Sequence, residues 1–218
     1  MEYIRREKTS LANLKKTNDD FNCLIKGKSV KDAYQFYKDN VNKYKYNTTE
    51  TKKEFLNMTG GRCSFCTKKI TDFNTEMTVE HIRTKKSTPS KIFEWENLLC
   101  ACRTCNTKRS EKAYDGKRYL DPTKVQDISK YFEFNMDGTI KIAKNLTAVE
   151  QKKAAYMRDM YNLDRADLNT DRKDFLRQIV NDDEYFDIIK NDDKSSTRII
   201  FLSVFTYYRR RRSEINGK

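Results

Sequence analysis

The chain has 218 residues, with 45 Lys or Arg against 32 Asp or Glu and a formal net charge of +13. That length admits one elaborated domain or two small ones, and 12 Phe and 13 Tyr supply enough burial per side chain to exclude wholesale disorder. The basic excess favours a polyanionic partner through release of condensed counterions, and the most apolar run, IIFLSVF at 199–205, is far too short to cross a bilayer.

The opening MEYIRREKTS is too charged for a secretory leader, which predicts a cytoplasmic protein without a membrane anchor. In a reducing compartment its six cysteines read as metal ligands rather than disulfides. Residues 1–58 read as a basic, mostly helical arm. Ala33, Phe36, Tyr37 and Val41 fall at helical spacing, and TETKKEFLNM continues to a stop at Gly60-Gly61. Cys23, isolated in the arm, reads as structural or incidental.

Composition changes in residues 59–122, which hold five of the six cysteines, the single His, the single Trp and both prolines. CSFC (Cys63, Cys66) and CRTC (Cys102, Cys105) are separated by 35 residues. Two C-x-x-C pairs suit tetrahedral zinc, because each tight turn points two thiolates at one ion; a redox dithiol needs only one pair. Cys100 alternates with Cys102 and would share its strand face, so it competes as a ligand, with a small buried hydrophobe the preferred reading. A closed four-cysteine site has no open position, so this zinc is structural and any catalysis comes from elsewhere. Between the knuckles, EMTVEHIR and EWENLLCAC read as strands and NTKRSEKA as a helix. In that order the zinc tie brings Glu80, His81, Asn97 and Asn106 near one another.

Residues 123–218 read as a β-hairpin followed by helices. YFEFNMDGTIKIA has two alternating runs around Asp137-Gly138. Thr147 and Glu150 match a capping box before TAVEQKKAAYMRDMYNL, and DRKDFLRQIV, DEYFDIIK and STRIIFLSVFTYYRRRR supply further helices.

The segment from Cys63 to Lys108 resembles an HNH endonuclease of the ββα-metal fold, with the acid-His pair at Glu80-His81, an Asn at Asn97, and Asn106 after the second C-x-x-C. VEHIRTK, WENLLCACRTCNTKRS and YLDP, with MEYIRR and the late YNLDRADLNTDR, resemble the retron-associated and Septu-type HNH nucleases of bacterial antiphage defence. The fold class expected is α+β and mostly helical: a small zinc-stapled ββα-metal module flanked by N- and C-terminal helices and one β-hairpin. The resemblance implies metal-dependent phosphodiester hydrolysis with His81 as general base and Glu80 and Asn106 as oxygen ligands of a catalytic magnesium or manganese. It gives Asn97 the role of fixing the His81 orientation. DNA is the favoured substrate and RNA the alternative; a PtuA-like ATPase subunit is the expected partner. Arg83, Lys85, Lys86, Arg103, Lys108 and Arg109 are candidate phosphate contacts. Glu80 and Asn106 stand where many relatives have Asp and His. The competing readings are a turn cap at Asn97, a helix N-cap at Asn106, an ion pair from Glu80 to Arg83 or Lys85, and, for the whole protein, a noncatalytic zinc-knuckle module that binds nucleic acid or protein.

Overall fold

Three helices form the N-terminal arm: α1 (Ala12–Ile25), α2 (Val30–Asp39) and α3 (Thr49–Thr59). Ser29 and Thr48 cap the second and third, each hydroxyl accepting the backbone N–H three residues on at 3.2 Å. Gly60, at φ +59°, ends α3 in the left-handed conformation that glycine adopts without cost, as the double glycine predicts. Val41 falls outside α2 and is exposed, because the helix ends two residues earlier. The computed structural model describes residues 11–70, 76–109, 114–125, 128–191 and 201–216, so the expected MEYIRR motif, the end of NTKRSEKA and the start of STRIIFLSVF lie outside the described residues.

Strand β1 (Met77–His81) pairs antiparallel with β2 (Leu98–Cys102), Val79 opposite Cys100 and His81 opposite Leu98. Helix α4 (Arg103–Thr107) follows directly, completing strand, loop, strand, helix. It begins three residues earlier than NTKRSEKA suggests, because Cys102 itself caps it, Sγ accepting the Cys105 N–H. Both faces of this ribbon are buried. Met77, Val79, Leu98 and Cys100 pack with Phe21, Tyr37 and Phe55 of the arm; Leu99 and Ala101 pack with Met157 and Tyr161 of the C-terminal region. Burial on both sides is why LLCAC is continuously apolar instead of alternating. The loop between the strands is held against the arm by Ile92 and Phe93, the Phe93 ring lying 5.0 Å from that of Phe21.

Beyond the module, β3 (Phe132–Phe134) and β4 (Ile140–Ile142) form the expected hairpin. Its turn glycine, Gly138, sits at φ +83°, and a Cβ there would lie 1.8 Å from the Asn169 carbonyl oxygen. Helices α5 (Ala148–Met160), α6 (Ala166–Asn181), α7 (Asp183–Ile189) and α8 (Leu202–Asn216) complete the fold, α5 opening on the Thr147/Glu150 capping box. The start of α8 is stitched to the first knuckle by a Lys68–Phe201 bridge and a 3.1 Å bond from Ser203 N–H to Thr67 Oγ1. The described part of that apolar run, 201–205, therefore serves the core, with Phe201, Leu202, Val204 and Phe205 buried. No described helix is long and apolar enough to cross a membrane. Hydrophobic packing continues across residues 58 and 122, where composition changes in the sequence.

Candidate active site and metal centre

The metal centre is built from two turns. In the first, Thr67 N–H bonds the Cys63 carbonyl and Cys63 N–H the Lys68 carbonyl, both at 3.0 Å, with Thr67 at φ +61° closing the knuckle. The second places Cys102 at the end of β2 and Cys105 one turn into α4. The four sulfurs lie within 4.8 Å of one another, Cys66 Sγ 3.9 Å from Cys102 Sγ. A tetrahedral zinc with bonds of about 2.3 Å separates its sulfurs by about 3.8 Å, so this donor set fits zinc in number, type and spacing. Cys100 takes no part: it is fully buried in the N-terminal packing, where desolvation pushes its thiol up to about 12. Cys23 is exposed.

The late YNLDRADLNTDR stretch wraps this centre, a role nothing in its local pattern announces. Tyr161 stacks on Phe65 of the first knuckle at 3.7 Å between centroids. Arg165 Nη1 donates to Cys105 Sγ at 3.6 Å, and Arg172, 2% exposed, donates to the Leu163 carbonyl at 2.7 Å.

His81 ends β1 and is buried at 4% exposure. Its Nε2 donates to the Ile92 carbonyl at 2.9 Å, which leaves Nδ1 as the ring's acceptor. Tyr46 of the arm meets the imidazole edge-on at 4.5 Å, and Lys85 Nζ donates to the Tyr46 hydroxyl at 2.9 Å. Burial, aided by the Lys85 charge and opposed by the Ile92 bond, lowers the His81 pKa to about 3, so the ring is neutral at physiological pH. Asn97 closes the loop that carries Ile92. Its Nδ2 donates to the carbonyls of Lys91 (2.8 Å) and Arg83 (3.2 Å), and its Oδ1 accepts the Arg83 N–H at 2.8 Å.

Glu80 and His81 are chain neighbours that point to opposite faces of the ribbon, as strand alternation requires. The imidazole faces the arm; the Glu80 carboxylate faces α4, where Oε1 receives Arg109 Nη1. The ion-pair reading of Glu80 is therefore right in kind, with Arg109 as partner rather than Arg83 or Lys85. Asn106 lies half-buried inside α4 and is not its N-cap, since Cys102 holds that position.

The six basic residues are placed differently from one another. Arg83, Lys86, Arg103 and Lys108 are exposed, with the Arg83 guanidinium 5.1 Å from the Tyr114 ring centroid. Lys85 is half-buried on Tyr46. Arg109 is turned inward: besides Glu80 it donates to the carbonyls of His81 and Ile82, and its side chain is 10% exposed. Its expected place on the phosphate-binding surface is not where the fold puts it, because the only buried carboxylate on β1 draws it in. Sequence reasoning also missed Tyr46, which sits 35 residues before the imidazole it covers and carries no motif.

With that geometry in place, comparison with known proteins adds two findings. Residues 63–112 match the model of the HNH endonuclease family. A 97-residue stretch, 44% of this chain, is 29% identical to the Septu protein PtuB of Bacillus thuringiensis and covers 37% of that protein. The chain thus aligns with little more than a third of that relative's length.

Proposed function

We propose that this chain is a metal-dependent HNH endonuclease that hydrolyses phosphodiester bonds, serving as the nuclease effector of a cytoplasmic antiphage defence system. The observation that carries this reading is an imidazole whose Nε2 is held by the Ile92 carbonyl, on a loop pinned by Asn97, with Nδ1 left as acceptor. With Nε2 fixed as donor, His81 Nδ1 takes the proton of the attacking water as its oxygen bonds phosphorus and the bond to the leaving sugar oxygen breaks. Glu80 and Asn106 are the side chains that would hold a magnesium or manganese ion, which supplies charge neutralisation at the phosphate when bound. Asn97 acts through the loop, keeping the Ile92 carbonyl where it selects the His81 tautomer. Arg83, Lys86, Arg103 and Lys108 grip backbone phosphates without reading bases, which fits DNA as substrate, with RNA as the alternative. The resemblance to a Septu protein supports action beside a PtuA-like ATPase subunit.

A second reading has its own observation. His81 is almost wholly covered and Glu80 is engaged by Arg109, as in a noncatalytic zinc-knuckle module that binds nucleic acid or protein. The two separate in one experiment with supercoiled plasmid and structured RNA, each with magnesium, manganese or chelator, for the parent and His81→Ala. The nuclease reading expects cleavage that needs the divalent ion and falls by about 100- to 10,000-fold in the variant. Binding that survives His81→Ala, with no cleavage even beside the ATPase partner, would establish the module instead.

A further inference from the structure

Of the six basic residues near the site, Arg109 alone is tied to both members of the Glu80-His81 pair. Its Nη1 meets Glu80 Oε1 on one face of the ribbon and also the His81 carbonyl; its Nη2 donates to the Ile82 carbonyl at 3.0 Å. The guanidinium lies 5.8 Å from the Tyr161 ring centroid. Behind it, Arg109 Nε and the hydroxyls of Tyr119 and Tyr161 are buried without a well-formed hydrogen bond. Tyr161 of YNLDRADLNTDR packs against this side chain, and Tyr119 of YLDP lies within its electrostatic reach.

We propose that Arg109 is the positioning residue of the site, aligning Glu80 and His81 with each other rather than contacting nucleic acid. Two consecutive strand residues diverge by nature, and their relative placement depends on how the end of β1 is held. A planar guanidinium reaches one carboxylate oxygen and two consecutive carbonyls at once; an ammonium presents no such fork. Pairing through Oε1 leaves Oε2 as the carboxylate's remaining oxygen for a cation. This inference rests on the nuclease reading for its consequence in catalysis, though its geometric content does not.

The test uses the zinc-loaded chain of 218 residues, in which His81 is the only imidazole and gives one pair of ring-nitrogen resonances after 15N-histidine labelling. In Arg109→Lys and Arg109→Gln we expect those two resonances to move from the parent's tautomer pattern. Manganese affinity should fall by about 10- to 100-fold, the scale of losing a group that orients a ligand. Turnover should fall with KM for nucleic acid unchanged, and added guanidinium should restore part of it to Arg109→Gly. Unchanged ring-nitrogen shifts and manganese affinity in a folded Arg109→Lys would overturn the proposal, as would a loss confined to KM. If Arg109→Gln unfolds, Arg109→Lys decides. A parent that binds no manganese would refute the nuclease reading while the ring-nitrogen comparison still decides the role of Arg109.

Discussion

His81 is buried among Tyr46, Ile92 and Lys85, and that burial carries a measurable pH dependence. Its folded pKa, about 3, lies below the ordinary 6.5. Between those values the unfolded chain binds a proton that the folded chain refuses, so the contribution to stability is full above 6.5 and is lost as pH falls toward 3. The slope is about 1.4 kcal/mol per pH unit in that window. Denaturant melts of the parent and His81→Gln should diverge at neutral pH and converge in acid, the difference removing the shared acid sensitivity of the cysteine centre. In a cleavage assay the acid limb of activity should not fall at the ordinary histidine value. At this scale the quartet Cys63, Cys66, Cys102 and Cys105 was legible because ligand spacing is local. Tyr46 and Arg109 were not, since their partners lie 35 and 29 residues away and only tertiary packing selects them.

Element boundaries followed the strength of their local signals. The Thr147/Glu150 capping box and the Asp137-Gly138 turn could be read directly, because each is specified by side chains within four residues. Their replacement should differ in cost. Thr147→Ala removes a cap worth about 1 kcal/mol. Gly138→Ala should cost more, since a Cβ would overlap the Asn169 carbonyl and the left-handed φ would also be strained. Thermal melts of the two variants check the order; a Gly138→Ala protein as stable as Thr147→Ala would contradict the close packing of the hairpin turn on α6. The ribbon was placed correctly as two strands, yet its sidedness was hidden. LLCAC reads apolar throughout, so no alternation marks which residues face the arm and which the C-terminal region.

Among the described residues, the cysteine centre ties together elements far apart in the chain. The first knuckle holds the start of α8, the second begins α4, and Arg165 and Arg172 bring positive charge from the α6 end of the chain to the sulfurs. One zinc per chain is expected by elemental analysis. Its extraction should remove protection from amide exchange in α6 as well as in the knuckles, although α6 supplies no ligand, because two arginines would be left buried without the negative charge they face. Arg165→Gln should weaken zinc retention about tenfold in chelator competition. Exchange losses confined to the knuckles would refute this coupling. The sequence announced the four-cysteine cluster and the small module but not this dependence, which links residues 60 positions apart.

The doubly covered ribbon has an evolutionary corollary. A residue facing one core answers to one set of neighbours, whereas Leu98 to Ala101 alternate between two, so a change in backbone position that suits one side disturbs the other. In a saturation-mutagenesis library selected for folding, these four positions should accept the fewest replacements in the chain, and drift in either flank should be possible only where this shared partition stays still.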